Sequence, residues 1–417
     1  MRLRTLFVSA LVIFASSPFV ATCQSVPTRT HITSDGVLEL NGAKRFPIGL
    51  TMPPAADAKS PDGGNALSAL HADGVSFVRT GPTQGHWDDA AIEAEVRYED
   101  AAANAGIYCM PFLRELGSIG PKNLAHEQTL AKLVNRLKDN PGLGVWKGAD
   151  EPEWGKVPVE SMVHVRQIIR QLDPDHPIWV VQAPRGTIET LRPYDPTYDI
   201  LGCDIYPISY PPGTHSLGKN KQISMVGDYT REMVEIAGNK PVWMTLQIAW
   251  SGVIKPGKTL RMPTFAEERF MTYEAIINGA RGLVYFGGNL HQAWTPRDAE
   301  LGWNWSFWEK VLRPVVAEIG PSGPLAAALV APKSKLNVAV SARDDIEFSV
   351  REVGKEIFLL ACKRSGETAE VTFTGLPAVQ GEDEVLFEAP RKVSTKDGSF
   401  TDWFAPFEVH VYHFLRQ

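Results

Sequence analysis

Residues 143–154, LGVWKGADEPEW, contain an apolar run that ends in a cluster of acidic side chains. The run 143–149 has the length and composition of a short strand that is buried on both faces. Asp150, Glu151 and Glu153 follow it within four positions, although neighbouring carboxylates repel one another. We therefore expect the end of this strand to lie at a site where charged side chains have a function.

Seven further runs of the same kind occur along the chain, at residues 46–52, 75–81, 107–113, 178–183, 199–206, 241–250 and 282–288. Most are followed by a segment with helical spacing that stops at Gly or Pro. Eight such units in roughly 270 residues predict a (β/α)8 TIM barrel. An open, doubly wound sheet is the alternative, but it would carry a Gly-rich phosphate loop after its first strand. GLTMPPAADA at 49–58 is not such a loop.

The pattern changes near residue 320. Downstream of residue 335 the chain contains short segments that are rich in β-branched residues and are separated by Gly, Asp and Lys turns. These segments predict a small C-terminal antiparallel β-sandwich. We therefore assign the barrel to residues 25–320, a linker to 321–335 and the sandwich to 336–417.

The N-terminus has the pattern of a secretory signal peptide over residues 1–24. Arg2 and Arg4 precede a short apolar run at 6–15, and small residues follow before the polar start of the mature chain. This pattern predicts a secreted or periplasmic protein. Cys23 is an alternative site of lipid attachment, which would anchor the chain to a membrane.

Composition argues against several other functional classes. The net charge of −6 gives no support for binding to nucleic acid, which requires a basic patch. The apolar N-terminal run is too short to span a membrane. No Cys or His cluster has the spacing of zinc ligands, so we predict no metal and no cofactor. Cys109, Cys203 and Cys362 are expected to be buried free thiols, and nothing in the sequence indicates an oligomeric state.

Polar and aromatic residues follow most of the predicted strands. In a (β/α)8 barrel the active site lies at the C-terminal ends of the strands, so these side chains should meet in one cleft. A carboxyl group with a tuned pKa in such a cleft can protonate a leaving group, which gives the acidic cluster a function. The candidate catalytic residues are Glu151, Asp204, Asp150 and Glu115. The candidate substrate-binding residues are Arg79, Tyr206, Gln247, Trp250, Trp294 and Asn289.

This arrangement resembles the clan A glycoside hydrolases, a large group of (β/α)8 enzymes that includes cellulases and β-galactosidases. Those enzymes carry an arginine on strand two, and an Asn-Glu pair ends strand four with the Glu as acid/base. An aromatic residue or a histidine lies near strand six, a nucleophilic Glu ends strand seven, and an aromatic follows strand eight. The resemblance implies a glycosidase acting on an oligo- or polysaccharide, with Arg79, Glu151, Tyr206 and Trp294 in these places.

The sequence departs from that pattern at two positions. Asp150 stands where Asn is usual, and Gln247 stands where the nucleophilic Glu is expected. A glutamine cannot attack an anomeric carbon as a carboxylate does. The two-carboxylate mechanism of the family therefore needs its second carboxylate from elsewhere.

Three hypotheses remain open on the sequence alone. In the first, Glu151 is the general acid/base, and Asp204 or Glu115 is the second carboxylate. In the second, the substrate supplies its own nucleophile, since the pair Asp150-Glu151 also resembles that of the β-hexosaminidases; Gln247 or Tyr206 would then hold the acetamido group. In the third, the protein binds glycans without cleaving them.

Overall fold

The computed structural model describes residues 26–83, 85–248, 259–287, 290, 293–341, 345–380 and 382–417. Three short strands come first: β1 Thr30–Ile32, β2 Leu38–Leu40 and β3 Ala43–Arg45. The barrel strands are β4 Ile48–Leu50, β5 Phe77–Thr80, β6 Tyr108–Pro111, β7 Trp146–Asp150, β8 Ile178–Gln182, β9 Ile200–Ile205, β11 Trp243–Gln247 and β13 Gly282–Phe286. Strands β10 Ser209–Tyr210 and β12 Thr259–Leu260 form a separate antiparallel pair.

The eight barrel strands form one parallel sheet in the order β6-β5-β4-β13-β11-β9-β8-β7. Parallel bridges from Cys109 to Leu143 and from Phe112 to Lys147 join its two edges, so that the sheet nearly closes into a barrel. Seven of the eight apolar runs of the sequence contain one of these strands, and the run 143–149 overlaps β7, which extends one residue further to Asp150. The predicted (β/α)8 fold is therefore confirmed, and the open-sheet alternative is wrong.

Helices connect the strands and cover the outside of the barrel. They are α1 Ala66–Ala72, α2 Asp89–Ala105, α3 Leu124–Leu137, α4 Val159–Leu172, α5 Ile188–Leu191, α6 Met225–Ala237, α7 Phe265–Ile277, α8 Pro296–Leu301, α9 Trp305–Phe307, α10 Arg313–Ile319 and α11 Ala326–Val330. Local signals set their ends. Asp88 accepts a hydrogen bond from the Ala91 N–H at the start of α2, and Gly106 ends that helix in the left-handed conformation. None of the helices in the described ranges has the length and apolar character needed to cross a membrane.

The interior of the barrel has an apolar lower layer and a polar upper layer. Phe77, Val145, Trp179, Trp243 and Val284 fill the lower layer, and Leu38 and Leu40 of β2 belong to the same buried cluster. Alternate residues of a strand point to the same side, so the next inward positions on these strands lie one layer higher. Gly202 of β9 leaves room for the lower layer, because a Cβ there would lie 2.6 Å from the Trp179 indole nitrogen.

The upper layer faces the C-terminal mouth of the barrel. Two residues beyond Phe77, Val145, Trp243 and Val284 the same strands carry Arg79, Lys147, Thr245 and Phe286, respectively. Asp204 of β9 joins them. The lower layer therefore excludes water from beneath a set of functional side chains.

The C-terminal region forms the predicted antiparallel β-sandwich. One sheet contains β14 Ala339–Val340, β17 Ala369–Thr374 and β20 Phe400–Phe404. The other contains β15 Ile346–Val353, β16 Glu356–Lys363, β21 Val409–Leu415, β18 Glu382–Leu386 and β19 Lys392–Ser394. The sequence did not predict β19, β20 or the three strands before the barrel. Residues 321–335, assigned to a linker, contain α11, whose Leu329 is buried in the core around the barrel helices.

The sandwich packs against the barrel helix α7. Phe358, Leu360 and Val409 of the larger sheet belong to the same apolar core as the barrel helices. The guanidinium of Arg269 on α7 donates to the Val409 carbonyl oxygen at 2.8 Å and pairs with Glu318. Cys109, Cys203 and Cys362 are buried free thiols, as predicted.

Candidate active site

A pocket of about 230 Å³ opens at the C-terminal mouth of the barrel. Its lining comes from seven of the eight strands or the loops that follow them. The lining residues are Thr51, Arg79, Lys147, Asp150, Glu151, Trp179, Val181, Asp204, Tyr206, His215, Thr245 and Phe286. Five of the ten predicted site residues are among them: Arg79, Asp150, Glu151, Asp204 and Tyr206.

Lys147 is the buried partner of Asp150. Its side chain is 1 % exposed, and its ammonium group donates to Asp150 Oδ1 at 3.0 Å and to the carbonyl oxygens of Gly148 and Ala149. The ammonium also lies 4.8 Å from the centre of the Phe112 ring. Every proton of Lys147 therefore has an acceptor, and its charge acts on Asp150.

Asp150 is the ionised carboxylate of the pocket. Desolvation acts to raise the pKa of Asp150, but the charges of Lys147 and Arg79 outweigh it, and the pKa lies below its usual value. The Asp150 side chain is 45 % exposed, so a ligand in the pocket can reach it. A register shift in the pairing of β7 with β8 between Lys147 and Asp150 brings both side chains to the mouth.

Glu151 leaves the strand through a strained backbone conformation. Its φ of +45° lies in the left-handed region, which costs about 1–3 kcal/mol for a residue other than glycine. Its N–H donates to the Val181 carbonyl oxygen at 2.8 Å, which holds the residue against β8. This conformation turns the carboxyl group of Glu151 into the pocket beside Asp150.

Glu151, Asp204 and His215 converge at one point of the pocket. One side-chain oxygen or nitrogen from each of the three lies within 4.8 Å of those from the other two. Burial and the charge of Asp150 raise the pKa of Glu151. Asp204 is only 8 % exposed, and burial together with Glu151 and Asp150 raises its pKa well above the usual value. Of the three carboxyl groups, Glu151 and Asp204 therefore favour the protonated form, and Asp150 favours the ionised form.

A divalent cation would find suitable ligand types at this point, since two carboxylates and an imidazole bind such ions. The nearby charge of Lys147, which is electrostatically coupled to Asp204, opposes a cation there. Proton sharing between the two carboxyl groups accounts for their closeness with no further group.

Aromatic rings frame the pocket wall. The Tyr206 ring stacks on Phe286 at a centroid distance of 5.2 Å and lies 4.4 Å from the His215 ring. The Arg79 guanidinium lies 5.6 Å from the Phe112 ring centre and 5.7 Å from that of Phe286. Burial lowers the pKa of Arg79, and the attraction of Asp150 opposes this shift. Arg79 therefore stays charged and supports the ionised state of Asp150.

Several polar atoms of the lining residues lack a protein partner. Four buried atoms have no hydrogen-bond partner among the described residues: Thr51 Oγ1, Trp179 Nε1, Asp204 Oδ1 and Thr245 Oγ1. Buried polar groups in folded proteins are nearly always hydrogen-bonded to protein, water or a ligand. These atoms are therefore unpaired polar groups within the walls of the pocket.

Two predicted site residues have other roles in the structure. Glu115 does not line the pocket: its Oε1 accepts the Trp87 backbone N–H at 2.7 Å. The Gln247 side chain is fully buried, and its amide binds both the N–H and the carbonyl oxygen of Ile208, at 2.8 and 2.9 Å. We therefore correct both predictions: Glu115 holds a loop, and Gln247 holds the segment that carries Tyr206.

The remaining predicted residues do not belong to the described pocket. Trp294 is 49 % exposed, packs edge-on against Phe307 at 5.6 Å and does not line the pocket, contrary to its predicted place. Trp250 and Asn289 lie outside the described residues.

Sequence reasoning missed Lys147 and His215. The signal for Lys147 was present, because a lysine in the middle of a buried strand needs a charged or carbonyl partner. His215 lies ten residues beyond the end of β9, in a loop with no periodic pattern. Only the folded loop brings it to the pocket.

No protein-family model matches the sequence, and no curated protein matches it in sequence. Solved structures do match its fold. An Anoxybacillus α-amylase has a TM-score of 0.58 at 11 % identity, over 92 % of this chain and 99 % of that one. A family 27 β-L-arabinopyranosidase from Geobacillus stearothermophilus has a TM-score of 0.57 at 11 % identity, over 90 % and 98 %. A family 30 endoxylanase from Clostridium papyrosolvens has a TM-score of 0.51 at 11 % identity, over 89 % and 97 %.

These likenesses span nearly the whole of each chain. At this level of identity they establish the architecture, which is the (β/α)8 barrel found in glycoside hydrolases together with a sheet domain. What this chain does must be argued from the pocket itself.

Proposed function

We propose that the protein is a glycoside hydrolase that cleaves O-glycosidic bonds of an oligo- or polysaccharide. The observation that carries the proposal is the convergence of three carboxyl groups, those of Asp150, Glu151 and Asp204, in one pocket. Lys147 and Arg79 lower the pKa of Asp150, whereas burial and the neighbouring carboxylates raise the pKa values of Glu151 and Asp204. Environments that push the pKa values of neighbouring carboxyl groups apart assign their acid and base roles. The glycosidases among the structures with the same fold add support.

Asp150 has the properties of the nucleophile. It is ionised, it is held by Lys147, and its side chain reaches the pocket. Glu151 has the properties of the acid, since it lies at the mouth with a raised pKa. Asp204 is buried, and burial together with the charges of Glu151 and Asp150 raises its pKa, so we propose that Asp204 and Glu151 share one proton.

Hydrolysis takes place in two chemical steps. Asp150 attacks the anomeric carbon, the glycosidic C–O bond breaks, and the Glu151–Asp204 pair gives its proton to the leaving oxygen. Water then attacks the glycosyl–Asp150 ester, gives a proton back to the pair, and releases Asp150 as a carboxylate. Two successive displacements at the same anomeric carbon restore its configuration. We therefore propose retention of the anomeric configuration.

The test compares full-length wild type with Asp150→Ala, Glu151→Gln and Asp204→Asn on a panel of neutral, acidic and N-acetylated oligosaccharides. Proton NMR of the first product gives its anomeric configuration. We expect each variant to stay folded and to lose most turnover. Azide should restore turnover to Asp150→Ala and yield a glycosyl azide of inverted configuration, because azide replaces the missing nucleophile.

The panel also separates the two other hypotheses. The adjacent pair Asp150-Glu151 is the observation that favours a substrate-assisted hydrolase. Turnover restricted to N-acetylated sugars, without azide rescue of Asp150→Ala, would select it. Binding of sugars without turnover by wild type would instead select a glycan-binding protein and overturn the hydrolase.

We also propose that the protein is exported, since residues 1–24 have the pattern of a signal peptide. Expression of the full-length gene product with cell fractionation and N-terminal sequencing tests this. A mature N-terminus between residues 21 and 25 is expected. A cytoplasmic product that starts at Met1 would refute export, and a lipid-modified N-terminal Cys23 would identify a lipoprotein.

A further inference from the structure

An exposed tryptophan stands beside the pocket on a rigid turn. Trp154 follows Glu151 by three residues and is 51 % exposed. The turn is held from several sides: the Gly155 N–H donates to the Glu151 carbonyl oxygen at 2.8 Å, and the Tyr194 hydroxyl donates to the Val157 carbonyl oxygen at 2.9 Å. The Glu153 N–H donates to Gln182 Oε1 at 3.2 Å. The indole is thus presented to solvent by a built platform.

Arg185 lies against this tryptophan. Its guanidinium carbon is 4.5 Å from the centre of the Trp154 ring. The loop that carries Arg185 is also fixed, because the Pro184 carbonyl oxygen accepts from the Tyr229 hydroxyl at 2.9 Å and from the Leu217 N–H at 3.3 Å. Trp154 and Arg185 together form a surface that we call the Trp154–Arg185 rim.

The Trp154 ring orients the guanidinium of Arg185. Within the described ranges, its guanidinium has no hydrogen bond and no ion pair. Its positive charge acts on Glu151 and partly opposes the rise in the pKa of that carboxyl group. Arg185 therefore lies beside the proposed proton donor. Since the described residues leave its N–H groups without acceptors, the guanidinium can donate to an anionic group of a ligand beside Glu151.

We propose that the Trp154–Arg185 rim binds the sugar unit on the leaving-group side of the scissile bond, and that this unit carries an anionic substituent. The inference rests on the proposed function and specifies its substrate class. The tryptophan ring stacks on the apolar face of the sugar. A guanidinium that is already oriented by stacking binds a carboxylate or a sulfate through paired N–H donors. Because the rim lies beside Glu151, the sugar unit bound there is the one that carries the glycosidic oxygen when that oxygen receives the proton.

The experiment measures binding to the full-length protein by calorimetry and by tryptophan fluorescence. The probes are trisaccharides of glucuronate, galacturonate and mannuronate, their neutral counterparts, and one sulfated galactose trisaccharide. Product analysis of the same mixtures records cleavage. The variants are Arg185→Gln, which keeps hydrogen-bond donors but removes the charge, Trp154→Ala and Trp154→Phe. Trp403→Ala is the matched control, since Trp403 is 58 % exposed on the sandwich.

We expect at least one acidic trisaccharide to bind about tenfold or more tightly than its neutral counterpart. Arg185→Gln should abolish this preference, with a loss of about 10- to 100-fold for the acidic sugar and little change for the neutral one. Trp154→Ala should weaken both, Trp154→Phe should restore most of the binding, and Trp403→Ala should change neither. Tight binding of the uronates alone would show that the rim recognises a carboxylate. Equally tight binding of the sulfated sugar would show that the rim accepts either a carboxylate or a sulfate.

The rim proposal is overturned if no acidic sugar is preferred or if the preference survives Arg185→Gln. Its failure differs from failure of the hydrolase proposal. Cleavage of neutral sugars without acidic preference refutes the rim and leaves the hydrolase. Binding of acidic sugars that depends on Arg185, without cleavage, refutes the hydrolase and leaves the rim as a glycan-binding surface.

Discussion

The ammonium of Lys147 lies 3.0 Å from Oδ1 of Asp150, and it is the buried member of the pair. Its other two protons go to the carbonyl oxygens of Gly148 and Ala149. The lysine is therefore committed to the backbone that leads to Asp150, and it fixes both the position and the charge of that carboxylate. A buried charge is tolerated here because each of its donors has an acceptor.

Replacing Lys147 should change the ionisation of Asp150. Without the ammonium, desolvation dominates and the pKa of Asp150 rises. In Lys147→Met we expect the acidic limb of the pH–rate profile to move up by about 1–3 pH units. Turnover near neutral pH should fall, while turnover at alkaline pH should fall less. The measurement is kcat/KM of full-length protein between pH 4 and pH 9.

Lys156→Met is the matched control for this change. Lys156 also pairs with an acidic residue three positions away, Glu153, at 3.0 Å, but it is largely exposed. Exposed ion pairs contribute about 0–1 kcal/mol. Its pH–rate profile should match that of wild type, and an unshifted acidic limb in Lys147→Met would show that another group keeps Asp150 ionised.

Asp204, as a buried catalytic residue, should lower the free energy of unfolding at neutral pH. Its pKa is raised in the folded protein, whereas the unfolded chain releases this proton near pH 4. The protonated carboxyl group therefore supports the fold fully below about pH 4, and this support is lost as pH rises through the folded pKa. Asp204→Asn cannot ionise, so its free energy of unfolding relative to wild type should increase as pH rises above 4.

Denaturant unfolding at pH 4 and pH 8 measures this effect, and turnover should fall by about 10²–10⁴-fold in the same variant. Asp199→Asn provides a control of opposite sign. Asp199 pairs with Arg166 and Arg170, which hold its pKa below the usual value against the opposing effect of burial. Its loss should destabilise the protein at pH 8 and less so as pH falls. Equal pH dependence in both variants would contradict the assignment of the proton to Asp204.

Glu115 should be dispensable for catalysis. Its Oε1 accepts the Trp87 N–H, and the amide oxygen of a glutamine can accept the same bond. We expect Glu115→Gln to keep kcat within about twofold and to lose about 1 kcal/mol of stability, because a charge-assisted bond becomes a neutral one. Kinetics and thermal unfolding beside Glu151→Gln give the comparison. A loss of turnover as large as that of Glu151→Gln would return Glu115 to the active site.

The fold was predictable because its signals are local and repeated. Each barrel strand is an apolar run long enough to be recognised, and the helices between them end at Gly or Pro. The three strands before the barrel are three residues each, and they have no such pattern. Their place follows from the barrel, whose lower interior is closed by Leu38 and Leu40 of β2.

The site was predictable at and just beyond the strand ends. Arg79 and Asp204 follow from alternation along β5 and β9. Asp150 reaches the mouth through the register shift between β7 and β8, and Glu151 reaches it through its left-handed backbone. Glu115 also follows a strand end, but the tight turn at 114–117 directs its carboxylate to the Trp87 N–H. Position along the chain cannot distinguish these cases, because the direction of a side chain in a loop depends on contacts that only the fold creates.

Gln247 stands at the position where the clan A glycoside hydrolases have their nucleophile. Replacing Gln247 by glutamate tests whether a carboxylate at this position can take part in catalysis. The side chain is fully buried, Oε1 accepts the Ile208 N–H, and Nε2 donates to the Ile208 carbonyl oxygen. A protonated glutamic acid can reproduce both bonds, whereas a carboxylate faces the carbonyl oxygen without a proton.

Gln247→Glu should therefore gain no turnover. It should be close to wild type in stability at low pH and lose about 1–3 kcal/mol near neutral pH. Gln222→Glu, at an exposed position, should show no such dependence on pH. Increased turnover in Gln247→Glu would mean that this carboxylate reaches the substrate and that Gln247 is more than a support for the segment carrying Tyr206.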